Sequence, residues 1–461
     1  MQFVTSDLDS VCLELLRDSG TPAPLRRFAE ETRGVLARVP VVGLVGRVNS
    51  GKSTLVNALL GRRVAPTATQ DCTRLVTCYR FGAPESVTAV LLDGSRRPIA
   101  PDLTQVTPDP QISHLDVALQ TEALRTLTII DTPGVQGTEL DAGPLVRRSL
   151  AGADVIVHLF RDGVRNDDAV LAAEFAGSTD GAGFDRSRVV GVLAHADNYG
   201  AGPAGEVDPI EAARAEAVSL SARHRRHFSA VVPVSALLAE TTATGQLTEA
   251  DTRVVQAAAA LDPDLLPFFG HPGVGDVDPG RAHAVLAKVG AYGVIRGSRH
   301  ATSSATLIAH LAERSGLDEL RVVLHGTLFG LARTRRVVDA VRRLEALSAT
   351  TPLPPRTGAL LSHALRGPIG HLAVELATYE DLVAGHPRSA LVRDFELLLG
   401  NVTRGERLLA LGARWGGDPS TGRLAEEARR YQGVASMTTR GVEAQSARVL
   451  SMSMHYLGQG G

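Results

Sequence analysis

From Val41 to about Glu240 the chain alternates two textures. Short apolar, β-branched runs (VVGLV from Val41, LTIIDTPG from Leu127, DVIVHLF from Asp154, VVGVLAHAD from Val189, AVVPVSA from Ala230) are separated by helical spacing near 141–152, 166–176 and 209–227. Apolar strands alternating with helices predict a mostly parallel sheet covered on both faces, with ligands expected beyond the carboxyl ends of its strands. Upstream, residues 6–38 predict two helices split at GTPAP (Gly20–Pro24), with Leu25, Phe28, Val35 and Leu36 on one face. After about Glu240 the strand signal fades. From Arg281 onward Ala, Leu and Arg recur at helical spacing, punctuated by TPLPPRTG, GHPRS and WGGDPST. The expected division is N-terminal helices 1–38 packing with a helical bundle or stalk 281–461, and an α/β domain 39–280 between them.

A chain of 461 residues exceeds one hydrophobic core, which agrees with several domains. Its 44% apolar and 21% charged residues are those of a folded protein. The net charge of -2 provides no global field for nucleic acid or anionic lipid, so any such contact is confined to a local patch. Cys12, Cys72 and Cys78 have neither disulfide nor zinc-site spacing. Asp7, Asp9, Glu14 and Asp18 interrupt the N-terminus, which does not read as a signal peptide, and no eighteen apolar residues run together. A cytoplasmic protein is expected, with any membrane contact peripheral, on the inner face of the plasma membrane.

Against this background GRVNSGKST (Gly46–Thr54) stands out. Gly46, Gly51, Lys52 and Ser53 match G-x-x-x-x-G-K-[ST], with an apolar strand before and the helical STLVNALLG after. In that context the backbone N–H groups of Asn49, Ser50, Gly51 and Thr54 form an anion nest, Lys52 faces the β and γ phosphates, and the Ser53 hydroxyl ligates Mg²⁺. IIDTPG puts Asp131 at a strand end, where it holds Mg²⁺ through water, and offers the Gly134 N–H to a γ phosphate. Between them PTATQDCTRLVT carries Thr67, Thr69 and Thr73; Thr73 is the candidate to complete the Mg²⁺ shell and orient the attacking water. Asp197, ending VLAHAD, accepts from N1–H and the exocyclic amine of guanine, whereas adenine leaves the carboxylate unpaired. Ser235 and Ala236 form a strand-end turn whose backbone donates to the guanine oxygen. The ligand is therefore expected to be GTP or GDP; an ATP-driven reading requires ignoring Asp197.

These residues resemble a bacterial dynamin-like GTPase of the dynamin superfamily. GRVNSGKSTLVNALLG resembles the phosphate loop, CTRLVT the switch threonine followed by Arg74, DTPG the second switch and AHAD the guanine motif. The likeness is greatest to the actinobacterial isoniazid-inducible dynamin-like proteins, over most of residues 35–350. It implies GTP hydrolysis, homodimerisation through the GTPase faces, a bundle built from both chain ends, membrane remodelling, and a related dynamin-like partner chain. The pattern departs at Val48, where eukaryotic dynamins carry Gln, at Asn49 in place of Ser, at Val135, where small GTPases carry Gln, and at His195 in place of Lys. With neither Gln present, slow hydrolysis is expected until an encounter reshapes the site, since unassisted small GTPases turn over at about 10⁻⁴ to 10⁻³ s⁻¹. Gln136 and Asn49 are the candidates to position the nucleophile.

Membrane contact has two candidate segments. Leu328–Leu347 carries Arg333, Arg335, Arg336, Arg342 and Arg343 beside Leu331, Val338, Val341 and Leu344, and reads either as a basic amphipathic helix or as a stalk helix with a solvated face. LLPFFGHPG offers Phe268 and Phe269 to a lipid interface or to the core. Met452 and Met454 read as bundle filling. Two functions follow: a mechanochemical GTPase acting on membrane, or a regulatory GTP switch acting on a protein or ribosomal partner.

Overall fold

The computed structural model describes residues 4–66, 75–106, 109–134, 144–161, 163, 188–225, 227–274, 276–401, 403–439 and 441–459. The chain forms two compact units: Val39–Val323, and Met1–Arg38 together with Leu324–Gly461.

Helices α1 (Val4–Arg17) and α2 (Ala23–Ala37) open the chain. The α/β unit follows, with β1 (Val41–Gly46), α3 (Lys52–Leu60), β2 (Thr77–Phe81), β3 (Ser86–Leu91), β4 (Arg96–Ile99), β5 (Ile112–Leu119), β6 (Thr128–Asp131), α4 (Pro144–Leu150), β7 (Val155–Phe160) and β8 (Val189–Ala194). It continues through α5 (Pro209–Arg223), β9 (Ala230–Val234), α6 (Ala236–Ala243), α7 (Glu249–Ala258), α8 (Pro279–Ile295), α9 (Ser304–Arg314) and α10 (Leu317–Val323). The strands make one sheet in the order β4-β3-β5-β2-β6-β1-β7-β8-β9. From β6 to β9 every pairing is parallel, while β2 runs antiparallel to β6. Every residue of β7 and β8 is buried, which is why these strands read as unbroken apolar runs. The predicted segment 166–176 lies outside the described residues.

The expected boundary at 280/281 is corrected to 323/324. Ala282, Val285, Val289, Tyr292, Leu307 and Leu311, on α8 and α9, share a buried core with Val189, Leu193 and Val231 of the sheet. Helical periodicity shows that these helices bury one face; it does not show which core receives it.

In the other unit a π-helical turn, Leu324–Leu328, leads into α11 (Phe329–Ser348), followed by α12 (Pro355–Arg366), α13 (Pro368–Gly385), α14 (Leu391–Leu399), α15 (Arg404–Trp415), α16 (Thr421–Met437) and α17 (Gly441–Gln459). Phe28 of α2 and Tyr379, Phe395 and Tyr431 anchor its core. The arginines of α11 are largely used within the unit. Arg336, itself buried, donates to the carbonyls of Val35 and Arg38, Arg333 pairs with Glu406, and Arg343 pairs with Glu31 and lies over the Phe28 ring. This matches the stalk-helix reading of α11. Met454 is buried and Met452 half-exposed; in the α/β unit Phe269 is buried and Phe268 half-exposed.

Deep in the bundle, Glu375 of α13 is fully buried. Arg407 of α15 donates to its carboxylate from two nitrogens, at 3.1 and 2.7 Å, Ser453 of α17 donates at 2.6 Å, and His371 Nε2 lies 3.3 Å away. These partners outweigh desolvation and hold the Glu375 carboxyl down at about 2.

Candidate nucleotide site

The site forms where β1 gives way to α3. Gly46 has φ 151, and a β-carbon there would meet the Leu159 carbonyl oxygen at 2.5 Å, so only glycine lets the loop leave the strand in this direction. Asn49, a non-glycine residue, is held at φ 60, and Gly51 at φ 90 caps α3. The loop closes on Lys52, whose Nζ donates to the carbonyls of Gly46 (3.0 Å) and Arg47 (2.8 Å). Burial pulls the Lys52 ammonium down to about 8, opposed by Asp131.

Asp131, at the end of β6, is wholly buried, and Ser53 Oγ donates to its Oδ2 at 2.9 Å. Burial pushes the Asp131 carboxyl up to about 6, against Lys52 and the Ser53 hydrogen bond. Its Oδ1 has no hydrogen-bond partner among the described residues. A hydroxyl and a carboxylate side by side, with a buried oxygen left over, are hard oxygen donors that suit Mg²⁺. Next in the chain, the Thr132 hydroxyl ties this segment to the Leu44 carbonyl at 2.7 Å. Gly134 packs against the phosphate loop so closely that a β-carbon would lie 2.7 Å from Val48 Cα. Thr73, Arg74, Val135 and Gln136 lie outside the described residues.

Asp197, half-buried, occupies the 3-10 turn Ala196–Asn198 beyond β8. The preceding His195 has φ 57, and its Nε2 reaches the Asn49 carbonyl oxygen at 3.3 Å. Where the family pattern has Lys, the His195 ring thus bridges the base turn to the phosphate loop. At the end of β9, Ser235 caps α6, and Ala236 abuts the loop, its Cβ 3.5 Å from where a Gly51 β-carbon would stand. One expectation is corrected here. The Ser235 N–H donates to the Ser315 carbonyl at 2.9 Å, because Gly316, at φ 77, lets the α9–α10 turn press against Pro233. The turn therefore keeps only the Ala236 N–H for a base oxygen.

Sequence reasoning also missed Asn57. This buried side chain accepts from the N–H groups of Val64 (2.9 Å) and Ala65 (2.8 Å), and donates to the Ala65 carbonyl (3.1 Å) and Glu240 Oε1 (2.7 Å). It thus joins the phosphate-loop helix to α6 and to the segment leading toward Thr73. The one signal was a polar residue inside the apolar run of LVNALL.

Fold and site together are those of a P-loop nucleotide-binding domain, and residues 41–179 match the family model described as 50S ribosome-binding GTPase. Isoniazid-induced protein IniC of Mycobacterium tuberculosis is 34% identical over 228 residues, 45% of this chain and 44% of that protein, so the chain spans less than half the length of this curated relative. Two solved structures overlap loosely. An oligomerised bacterial dynamin pair, described as a mechanism for long-range sensing and tethering of membranes, is 14% identical over 95% of this chain and 63% of that one, with a TM-score of 0.36. Era in complex with MgGDPNP and part of 16S ribosomal RNA is 22% identical over 43% of this chain and 51% of that one, with a TM-score of 0.25. The family match marks residues 41–179 as a GTPase-type domain, whose ligand class is a guanine nucleotide, and the likeness to IniC runs over 228 residues.

Proposed function

We propose that the chain binds GTP with Mg²⁺ through Gly46–Thr54, Asp131, Gly134, Asp197 and Ala236, and couples hydrolysis to dimerisation of GTPase units and to membrane remodelling or maintenance. The observation carrying this reading is the pairing of Ser53 with the buried Asp131 beside a glycine-shaped loop closed on Lys52.

The two hydrogen bonds that Lys52 makes to its own loop occupy two of its three donors. Nucleotide binding releases them and restores an anion to a cation that burial has made costly. Ser53 and Asp131 would hold Mg²⁺, the carboxylate through water, and the ion would neutralise charge developing between the β and γ phosphates. Gly134 then offers its N–H to the γ phosphate, and Asp197 reads the base. Thr73 completes the shell and orients water, with Asn49 and Gln136 as candidates to position it. Val48 and Val135 stand where related GTPases carry a Gln that positions water, which fits slow turnover until a second GTPase unit or a related partner chain completes the site.

Membrane action is proposed from the resemblance of GRVNSGKSTLVNALLG, DTPG and AHAD to dynamin-like proteins. No helix among the described residues is long and apolar enough to cross a membrane, so contact is proposed as peripheral. A regulatory switch acting on a protein or ribosomal partner is the second reading, favoured by the family match over residues 41–179.

GTP turnover per molecule, measured against protein concentration with ATP and Lys52→Ala as controls, separates the two. Specific activity that climbs with concentration supports completion by dimerisation. A flat, slow rate refutes it and favours the switch.

A further inference from the structure

Helix α8 is not continuous. Gly290, well inside it, has φ 63 and ψ −177, a conformation open essentially to glycine alone, and the i→i−4 ladder breaks there. Both halves are pinned. Before the break, the Thr241 hydroxyl of α6 donates to the Lys288 carbonyl, and Lys288 pairs with Asp251 at 2.8 Å. After it, the Tyr292 hydroxyl donates to Asp208 at 3.1 Å, and Arg296 donates to the carbonyls of Pro203 and Gly205, in the loop that follows the Asp197 turn. The break brings bare backbone against the base-reading carboxylate: a β-carbon on Gly290 would lie 3.7 Å from Asp197 Oδ2 and 3.4 Å from Leu237 Cδ2.

We propose that Gly290 is a specificity-determining residue of the GTPase, its bare backbone forming with Leu237 the wall of the slot in which Asp197 receives the 2-amino edge of guanine. The inference rests on the reading of Asp197 as the base acceptor. A β-carbon at 290 would touch Oδ2 at van der Waals distance but would be strained at φ 63, so a substitution there shifts the backbone beside the acceptor and disturbs the bond to the exocyclic amine. Inosine lacks that amine, so the diagnostic quantity is the preference for GDP over IDP.

The test measures both dissociation constants, by competition against a fluorescent guanine nucleotide, for the full chain and for Gly290→Ala, Leu237→Phe and Asp197→Ala. Gly290→Ala and Leu237→Phe are expected to reduce the GDP-over-IDP preference by about fivefold or more, as Asp197→Ala does, because a crowded or displaced acceptor no longer rewards the amine. Loss of folding alone would weaken both nucleotides equally and leave the ratio intact. Leu237→Phe carries no backbone strain and decides the matter where Gly290→Ala fails to fold. The inference is overturned if the ratio in both variants stays within about twofold of the parent while Asp197→Ala abolishes it. If Asp197→Ala also leaves the ratio unchanged, the assignment of Asp197 falls and the inference falls with it.

Discussion

Asn57 offers the most direct test of how the site is held together. Replacing it with Ala orphans two backbone N–H groups and the Ala65 carbonyl, and leaves the buried Glu240 carboxylate with Arg63 at 3.5 Å. Unmade buried hydrogen bonds cost about 1–3 kcal/mol each, and partial rewetting near Val64 keeps the sum below full additivity, so about 3–5 kcal/mol is expected. Asn57→Asp separates geometry from charge. It keeps both acceptors for Val64 and Ala65 but sets a second carboxylate about where Nδ2 now meets Glu240, at 2.7 Å. Two carboxylates that close cannot both ionise, so one must take up a proton. Asn57→Asp should therefore be as damaging as Ala at pH 8 and recover part of the loss toward pH 5. Scanning calorimetry at both pH values is the assay, since it resolves the α/β transition from that of the helical unit. Destabilisation below about 1 kcal/mol in both variants, or an Asp variant indifferent to pH, would refute the reasoning.

Three further outcomes are expected. Lys52→Ala should weaken nucleotide binding by about a hundredfold or more while leaving the melting temperature of the nucleotide-free protein unchanged or raised, because it removes an ammonium whose burial is costly; a lowered melting temperature would count against this. Gly134→Ala, whose β-carbon meets Val48 backbone, should spare GDP affinity and depress that for a non-hydrolysable GTP analogue, as equilibrium titration can show. Because the Glu375 carboxyl is held at about 2, below its ordinary 4.5, its ionised form contributes about 3 kcal/mol to the helical unit above pH 4.5, lost as pH falls toward 2. Glu375→Gln should lower that unit's stability at pH 7 and flatten its acid-induced decline, measured by calorimetry from pH 7 to 2.5.

The sheet was legible because β7 and β8 are buried on both faces and so carry no polar alternation. The phosphate loop was legible because an anion nest requires glycines and a lysine at fixed spacing, in an order of strand, loop and helix that sequence preserves. What escaped was long-range partnership. Asn57 and Glu240 are 183 positions apart, and His195 meets Asn49 across 146. The fate of the Ser235 N–H depends on Ser315, brought in by a glycine that looks unremarkable in the chain. The boundary was misplaced by the same blindness, since Val285 and Leu311 announce a buried face but not the core that receives it.

The Glu375 cluster bears on what the helical unit can transmit. Helices α13, α15 and α17 each contribute to one carboxylate with no exposure to water. A slip of one helix by a single turn, about 5.4 Å, would strand that charge without its guanidinium or its hydroxyl. Apolar faces tolerate such sliding; an ion pair of fixed geometry does not. Under load, then, these three helices should behave as a ratchet with one tooth engaged, a stiff strut that passes displacement along its length instead of absorbing it in shear.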